Sequence, residues 1–175
     1  MALVVLLRGA NVGGHRKFRP AELAKEMADL GVVNVGAAGT FVVKKPVGAA
    51  AFRAELGRRL AFETEVMVCS AAEILALAES EPFPRPPSAS DVRAMLTVLA
   101  KKPKTLPELP IRRPEGKDWQ VDLFRLAGRF ALSFWRGDRK RLIYPNEVAE
   151  KVLGIPGTTR TRSTIEAACK ILGTS

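Results

Sequence analysis

The sequence predicts an α+β protein made of two packed, ferredoxin-like-related subdomains, with mixed or antiparallel sheets carrying helices on one face. Three observations lead there. Periodicity over the first eighty residues reads β-α-β-β-α-β plus a trailing helix, the element order of a ferredoxin-like unit. The stretch from Ser80 to Ser90 holds Pro82, Pro84, Pro86 and Pro87, which remove backbone donors and bias their neighbours toward extended conformations. Beyond it lies a second β-rich half centred on an alternating hairpin. The division expected is therefore residues 1–80 as one subdomain, 81–90 as a Pro-rich linker, and 91–175 as a second α+β subdomain with basic loops and a C-terminal helix.

Taken in order, Ala2 to Leu7 is a continuous aliphatic run bounded by a glycine loop, the pattern of a strand buried on both faces and central in its sheet. After the loop, Pro20 suits a first helical turn. Leu23, Met27 and Leu30 recur on one face, and Gly31 supplies the stop. Val32–Val35 and Thr40–Lys44 read as short strands around Gly36-Ala37-Ala38-Gly39, whose glycines permit a tight turn. A helix from about Ala49 to Ala61 carries the stripe Phe52, Leu56, Leu60. Glu65 to Cys69 is a further strand, and Ser70-Ala71-Ala72-Glu73 is a capping box opening a third helix.

The second half begins with a strand near Arg93 to Leu99 and a Pro- and Lys-rich connection from Lys101 to Pro114. Trp119–Leu126 and Phe130–Trp135 form the hairpin around Ala127-Gly128-Arg129. A helix enters near Pro145 and closes at Gly154. The last helix opens with the capping box Ser163-Thr164-Ile165-Glu166 and buries Ile165, Ala168, Cys169 and Leu172.

Composition narrows the function classes. At 175 residues and 47% hydrophobic content, the chain can bury a core, which excludes global disorder. No apolar run approaches the roughly 18 residues of a membrane span, so a cytoplasmic, membrane-free protein is expected. Cys69 and Cys169 stand far apart in apolar surroundings and read as buried thiols. One histidine and no clustered ligands argue against a metal site, and no cofactor is expected. The formal charge of +10 favours phosphate, nucleic acid or other anionic partners. Residues 81–175 supply eight of those ten net charges.

The stretch Arg8-Gly9-Ala10-Asn11-Val12-Gly13-Gly14-His15-Arg16-Lys17 is the leading site candidate. A loop that leaves a buried strand and enters a helix can aim several backbone amides at one spot, and its glycines allow the conformations this needs. Its spacing matches neither the phosphate loop nor the dinucleotide fingerprint, so neither ATP nor NAD follows. His15 is the one candidate acid or base, with Arg16 and Lys17 favouring its neutral form. The run Thr158-Thr159-Arg160-Thr161-Arg162-Ser163-Thr164 sets arginines before a helix start, where an anion would offset the dipole.

The expected anion site is therefore Arg8, Gly9, Asn11, Gly13, Gly14, His15 and Lys17 together with Thr159, Arg160, Arg162 and Thr164, with Arg8 and Arg160 sharing one anion. Against this stands a structural reading in which the glycines serve a turn and the hydroxyls cap a helix. Basic clusters at Lys101-Lys102-Pro103-Lys104, Arg112-Arg113 and Arg139-Lys140-Arg141 could hold a nucleic-acid backbone, or be solvated loops. Trp119, Phe130, Phe134 and Trp135 suit core packing before base stacking. No residue set identifies a reaction, so a binding module, a small-molecule enzyme using His15, and a purely structural role all remain in view.

Leu7-Arg8-Gly9-Ala10-Asn11-Val12-Gly13-Gly14-His15 resembles the hallmark of an uncharacterised bacterial family, number 1697 among the domains of unknown function. The resemblance continues through Leu30-Gly31, Asn34-Val35, Gly39 before Val42-Val43, Pro82-Phe83, and Thr158-Thr159-Arg160 with Thr164. It implies paired α+β, ferredoxin-like subdomains and carries no activity. Relatives show Gln-Ser-Gly-Asn where this chain has Ala37-Ala38-Gly39-Thr40, and Thr-Arg-Asn-Trp-Asn-Thr where it has Thr159-Arg160-Thr161-Arg162-Ser163-Thr164. A ligand held by those polar groups in relatives would be held here weakly, be replaced by something more anionic, or be lost in a structural paralogue.

Overall fold

A computed structural model describes residues 1–10, 18–85, 91–137 and 140–173. The chain divides into two compact units, Met1–Glu79 with Thr164–Ser175, and Ser80–Ser163. The N-terminal segment of the first unit ends at Glu79. From Thr164 onward the last helix, expected in the second subdomain, groups with the first unit.

The first unit contains β1 (Leu3–Leu7), α1 (Pro20–Glu26), β2 (Val32–Val35), β3 (Thr40–Val43), α2 (Ala49–Arg59), β4 (Val66–Ser70) and α3 (Ala71–Glu79). Its sheet has the order β2-β3-β1-β4, every pair antiparallel. The uninterrupted aliphatic run thus occupies a central strand, and all five β1 side chains are buried. Leu3, Val5 and Leu7 pack with Leu23, Ala24 and Met27 beneath α1 and with Phe52 and Leu56 of α2. Each of the larger side chains among them contributes about 1.5–3 kcal/mol on burial. Val4 and Leu6 alternate to the other face and are equally buried, while α3 runs along β1 and β4.

The expected helix over Pro20 to Leu30 is shorter than its periodicity suggests. It yields to a 3-10 turn at Ala28–Leu30, closed by Gly31 in the left-handed region. At the start of α3 the capping box forms as expected: the Ser70 amide donates to Glu73 Oε2 and the Glu73 amide to Ser70 Oγ.

The second unit contains β5 (Val92–Leu99), β6 (Ile111–Arg113), β7 (Val121–Ala127), β8 (Phe130–Arg136), α4 (Pro145–Leu153) and β9 (Gly157–Thr161). α5 (Arg162–Gly173) follows directly, opening one residue before the expected Ser163. The antiparallel order is β6-β7-β8-β5-β9. Without β6, the order β7-β8-β5-β9 repeats β2-β3-β1-β4, an extended connection standing where the first crossover helix would be.

Two strands correct the sequence reading. β6 lies inside the expected Pro- and Lys-rich connection, and β9 takes the threonine-arginine run expected as a pre-helix loop. β9 forms because its β-branched threonines suit a pleated surface and β5 offers a full edge. Thr97 and Thr159 hydroxyls meet across it at 2.7 Å. Gly157 is required there, since a Cβ would lie 2.8 Å from Thr97 Cγ2.

Candidate functional site

The site is built at the C-terminal end of β1. Hydrogen bonding continues past the strand on both sides, the Leu7 amide donating to Gly39 O and the Arg8 amide to Glu65 O. Gly39 has φ +77°, and a Cβ there would sit 3.0 Å from Leu7 Cβ, so the turn that receives Leu7 depends on glycine. The Thr64 hydroxyl bonds the Arg8 carbonyl oxygen, and Gly9 turns the chain with φ +67°. Arg8 is thereby fixed in its backbone while its side chain stays 36% exposed.

Beside it opens a pocket of about 630 Å³ lined by Arg8, Arg53 and Gly57 of α2, Leu60, and the segment Phe62–Val66. The α2 periodicity that buries Phe52 and Leu56 leaves Arg53 on the flank, where its Nε donates to Val66 O at 3.3 Å. Phe62 backs the pocket, edge-on to Phe18 at 5.7 Å. Glu65 Oε1 lies 3.9 Å from Arg8 Nη1 with half of its side chain exposed. Such a pair is weak and readily exchanged for another anion.

Arg160, expected before a helix and facing an anion, lies on β9 in the other unit. It is buried, and its Nη1 donates to Thr158 Oγ1 and Thr159 O at 2.8 and 2.9 Å. Burial pulls its pKa down to about 10, so the guanidinium stays protonated at neutral pH. Thr159 turns to Thr97, and Arg162 is exposed with its guanidinium 5.8 Å above the Phe83 ring. Thr164 falls in the first turn of α5. Asn11, Gly13, Gly14, His15 and Lys17 lie outside the described residues, and with them the acid-base expectation for His15.

Arg53, Thr64 and Glu65 were not singled out in the sequence. They sit 45 to 57 positions after Arg8 and carry no motif, and only the β1–β4 pairing brings residues 64 and 65 beside it. Of the expected buried thiols, Cys69 is fully buried and Cys169 only partly. Burial, reinforced by Glu166, raises the Cys169 pKa. Trp119, Phe130 and Phe134 are buried, which favours packing over base stacking for them. Among the described residues no group of three or more His, Cys, Asp or Glu could hold a metal ion. Nor is any described helix long and apolar enough to cross a membrane.

The fold and the β1-end motif define an α+β protein with an arginine-bearing pocket, and the comparisons place it in a family. The sequence model described as a protein of unknown function (DUF1697) matches residues 1–125; the chain belongs to that family. Among solved structures it is similar to the conserved bacterial protein SP0830 from Streptococcus pneumoniae. That likeness has 20% identity, 98% coverage of each chain and a TM-score of 0.56, a likeness of fold. None of the curated proteins matches the chain.

Proposed function

We propose that this protein binds a phosphate-bearing ligand in the pocket at the end of β1, a nucleic-acid backbone being one such ligand. The observation that carries this reading is the pair of arginines, Arg8 and Arg53, lining one pocket with Glu63 and Glu65, the Arg8 backbone being held by Glu65 O and by the Thr64 hydroxyl. Guanidinium groups match phosphate oxygens in pairs, and the net charge of +10 draws polyanions toward the molecule. Glu65, with Oε1 3.9 Å from Arg8 Nη1, competes with an anion for that side chain. The cytoplasm, where free thiols such as Cys69 and Cys169 persist, is the proposed setting.

The test is titration with inorganic phosphate, ADP and a single-stranded oligonucleotide at low salt, followed by calorimetry. Arg8→Ala and Arg53→Ala should each weaken binding at least about tenfold, a loss of about 1.4 kcal/mol, without lowering the melting temperature. Glu65→Gln should tighten it by removing the competing carboxylate. If none of the three probes binds, or the arginine variants bind as tightly as the parent, the reading is wrong. An oligonucleotide that binds with a steep salt dependence while ADP fails would assign the pocket to a nucleic-acid backbone.

A further inference from the structure

A different pocket lies wholly within the second unit. It measures about 570 Å³ and is lined by Arg113 of β6, Ile143 ahead of α4, and Glu147, Val148, Lys151 and Val152 of α4. We propose that it binds a small organic carboxylate with an apolar body, the head group between Arg113 and Lys151 and the body against Ile143, Val148 and Val152. The site is independent of the one at β1.

Its volume falls within the range of small-molecule sites, which combine apolar walls with a few placed polar groups. Val148 is buried and lines the pocket. Two cations and one carboxylate line the walls; the Glu115 carboxylate also lies 3.8 Å from Arg113 Nη1, a long, exposed pair of the weak kind that a ligand carboxylate can replace. Glu147 is turned to the start of its own helix, where its Oε2 accepts the Tyr144 amide at 3.0 Å. Arg113 is anchored by donating from Nη1 to Arg112 O at 2.9 Å, and Lys151, in the last turn of α4, supplies a second cation from an exposed position.

The wall is also held in place. Gln120, itself buried, donates from Nε2 to Arg141 O at 2.9 Å and accepts the Ile143 amide on Oε1 at 3.0 Å. Its two-sided amide clamp fixes the segment 141–143 before any ligand arrives, which lowers the ordering cost of binding. Trp135 Nε1 donates to Ile143 O at 2.8 Å and its ring stacks on Tyr144. Its indole N–H therefore reports on the pocket wall. Trp119 does not line this pocket and serves as an internal reference.

The experiment titrates the full chain, labelled with nitrogen-15, with sodium octanoate, sodium acetate and octylamine, each below its aggregation range, and follows the two indole signals. Octanoate should shift the Trp135 signal saturably and leave Trp119 in place, while acetate binds at least tenfold more weakly and octylamine gives no saturable shift. Lys151→Glu, an exposed change that spares the core, should weaken octanoate at least tenfold, and Arg8→Ala should leave it unchanged. The proposal fails if octanoate gives no saturable shift, if octylamine or acetate does as well, or if Lys151→Glu binds octanoate like the parent.

Discussion

Arg160 concentrates the conflict between burial and charge in this chain. Its guanidinium is removed from water on β9, and its pKa falls to about 10 for that reason alone. The displacement from the ordinary arginine range corresponds to roughly 3 kcal/mol of penalty for holding the protonated form inside. Because the folded-state pKa is the lower one, the penalty is complete below pH 10. It is relieved as the pH rises from about 10 toward the ordinary arginine value. The bonds to Thr158 and Thr159 offset part of it. Arg160→Met, which removes both the penalty and the bonds, should therefore leave stability at pH 7 within about 1 kcal/mol of the parent or raise it. Urea unfolding checks this, and a loss above about 3 kcal/mol would show that the cation is structurally required. No residue-level pattern announces this burial, since an arginine among threonines reads as polar surface in the sequence.

Elements in this protein are legible in proportion to how much of their stability is local. The α3 capping box needs only Ser70 and Glu73 three positions apart, and both of its bonds form. Ser70→Ala should cost about 1 kcal/mol, seen as a lower urea midpoint with an unchanged slope; no change would mean that the cap is replaced by water. β1 was readable for a similar reason, because an aliphatic run of that length must be buried wherever the chain goes. β9 and β6 were not readable. Their partners, β5 and β7, lie far along the chain from β9 and across a turn-rich connection from β6, and Thr158–Thr161 carries hydroxyls that suit a cap as well as a strand. The edge offered by β5 decided between the two. The end of α1 shows the same limit, its apolar spacing continuing to Leu30 while the backbone tightens to a 3-10 turn.

At the scale of the molecule, the two halves repeat one strand order, and the chain's last helix groups with its first residues. Deleting residues 164–175 removes the buried Ile165, Ala168 and Leu172 from the unit Met1–Glu79. Both tryptophans and the tyrosine belong to the other unit, so fluorescence follows Ser80–Ser163 while far-ultraviolet circular dichroism follows the whole. The deletion should lower the melting midpoint read by circular dichroism by several degrees more than the midpoint read by fluorescence. Equal shifts would mean that the two units unfold as one.

By itself the sequence determined the α+β class, the first ferredoxin-like element order, the central place of β1 and the family motif beginning at Leu7. Those features depend on periodicity, on proline and glycine chemistry, and on spacings of a few residues. Tertiary structure alone decided strands β6 and β9 of the second sheet, the burial of Arg160, the unit to which α5 belongs, and the joining of Arg8 with Arg53, Thr64 and Glu65 around one pocket. Each depends on strand pairing or packing between distant segments, where the free energy comes from covering surface and matching edges, and adjacent residues carry no record of which edge will be free.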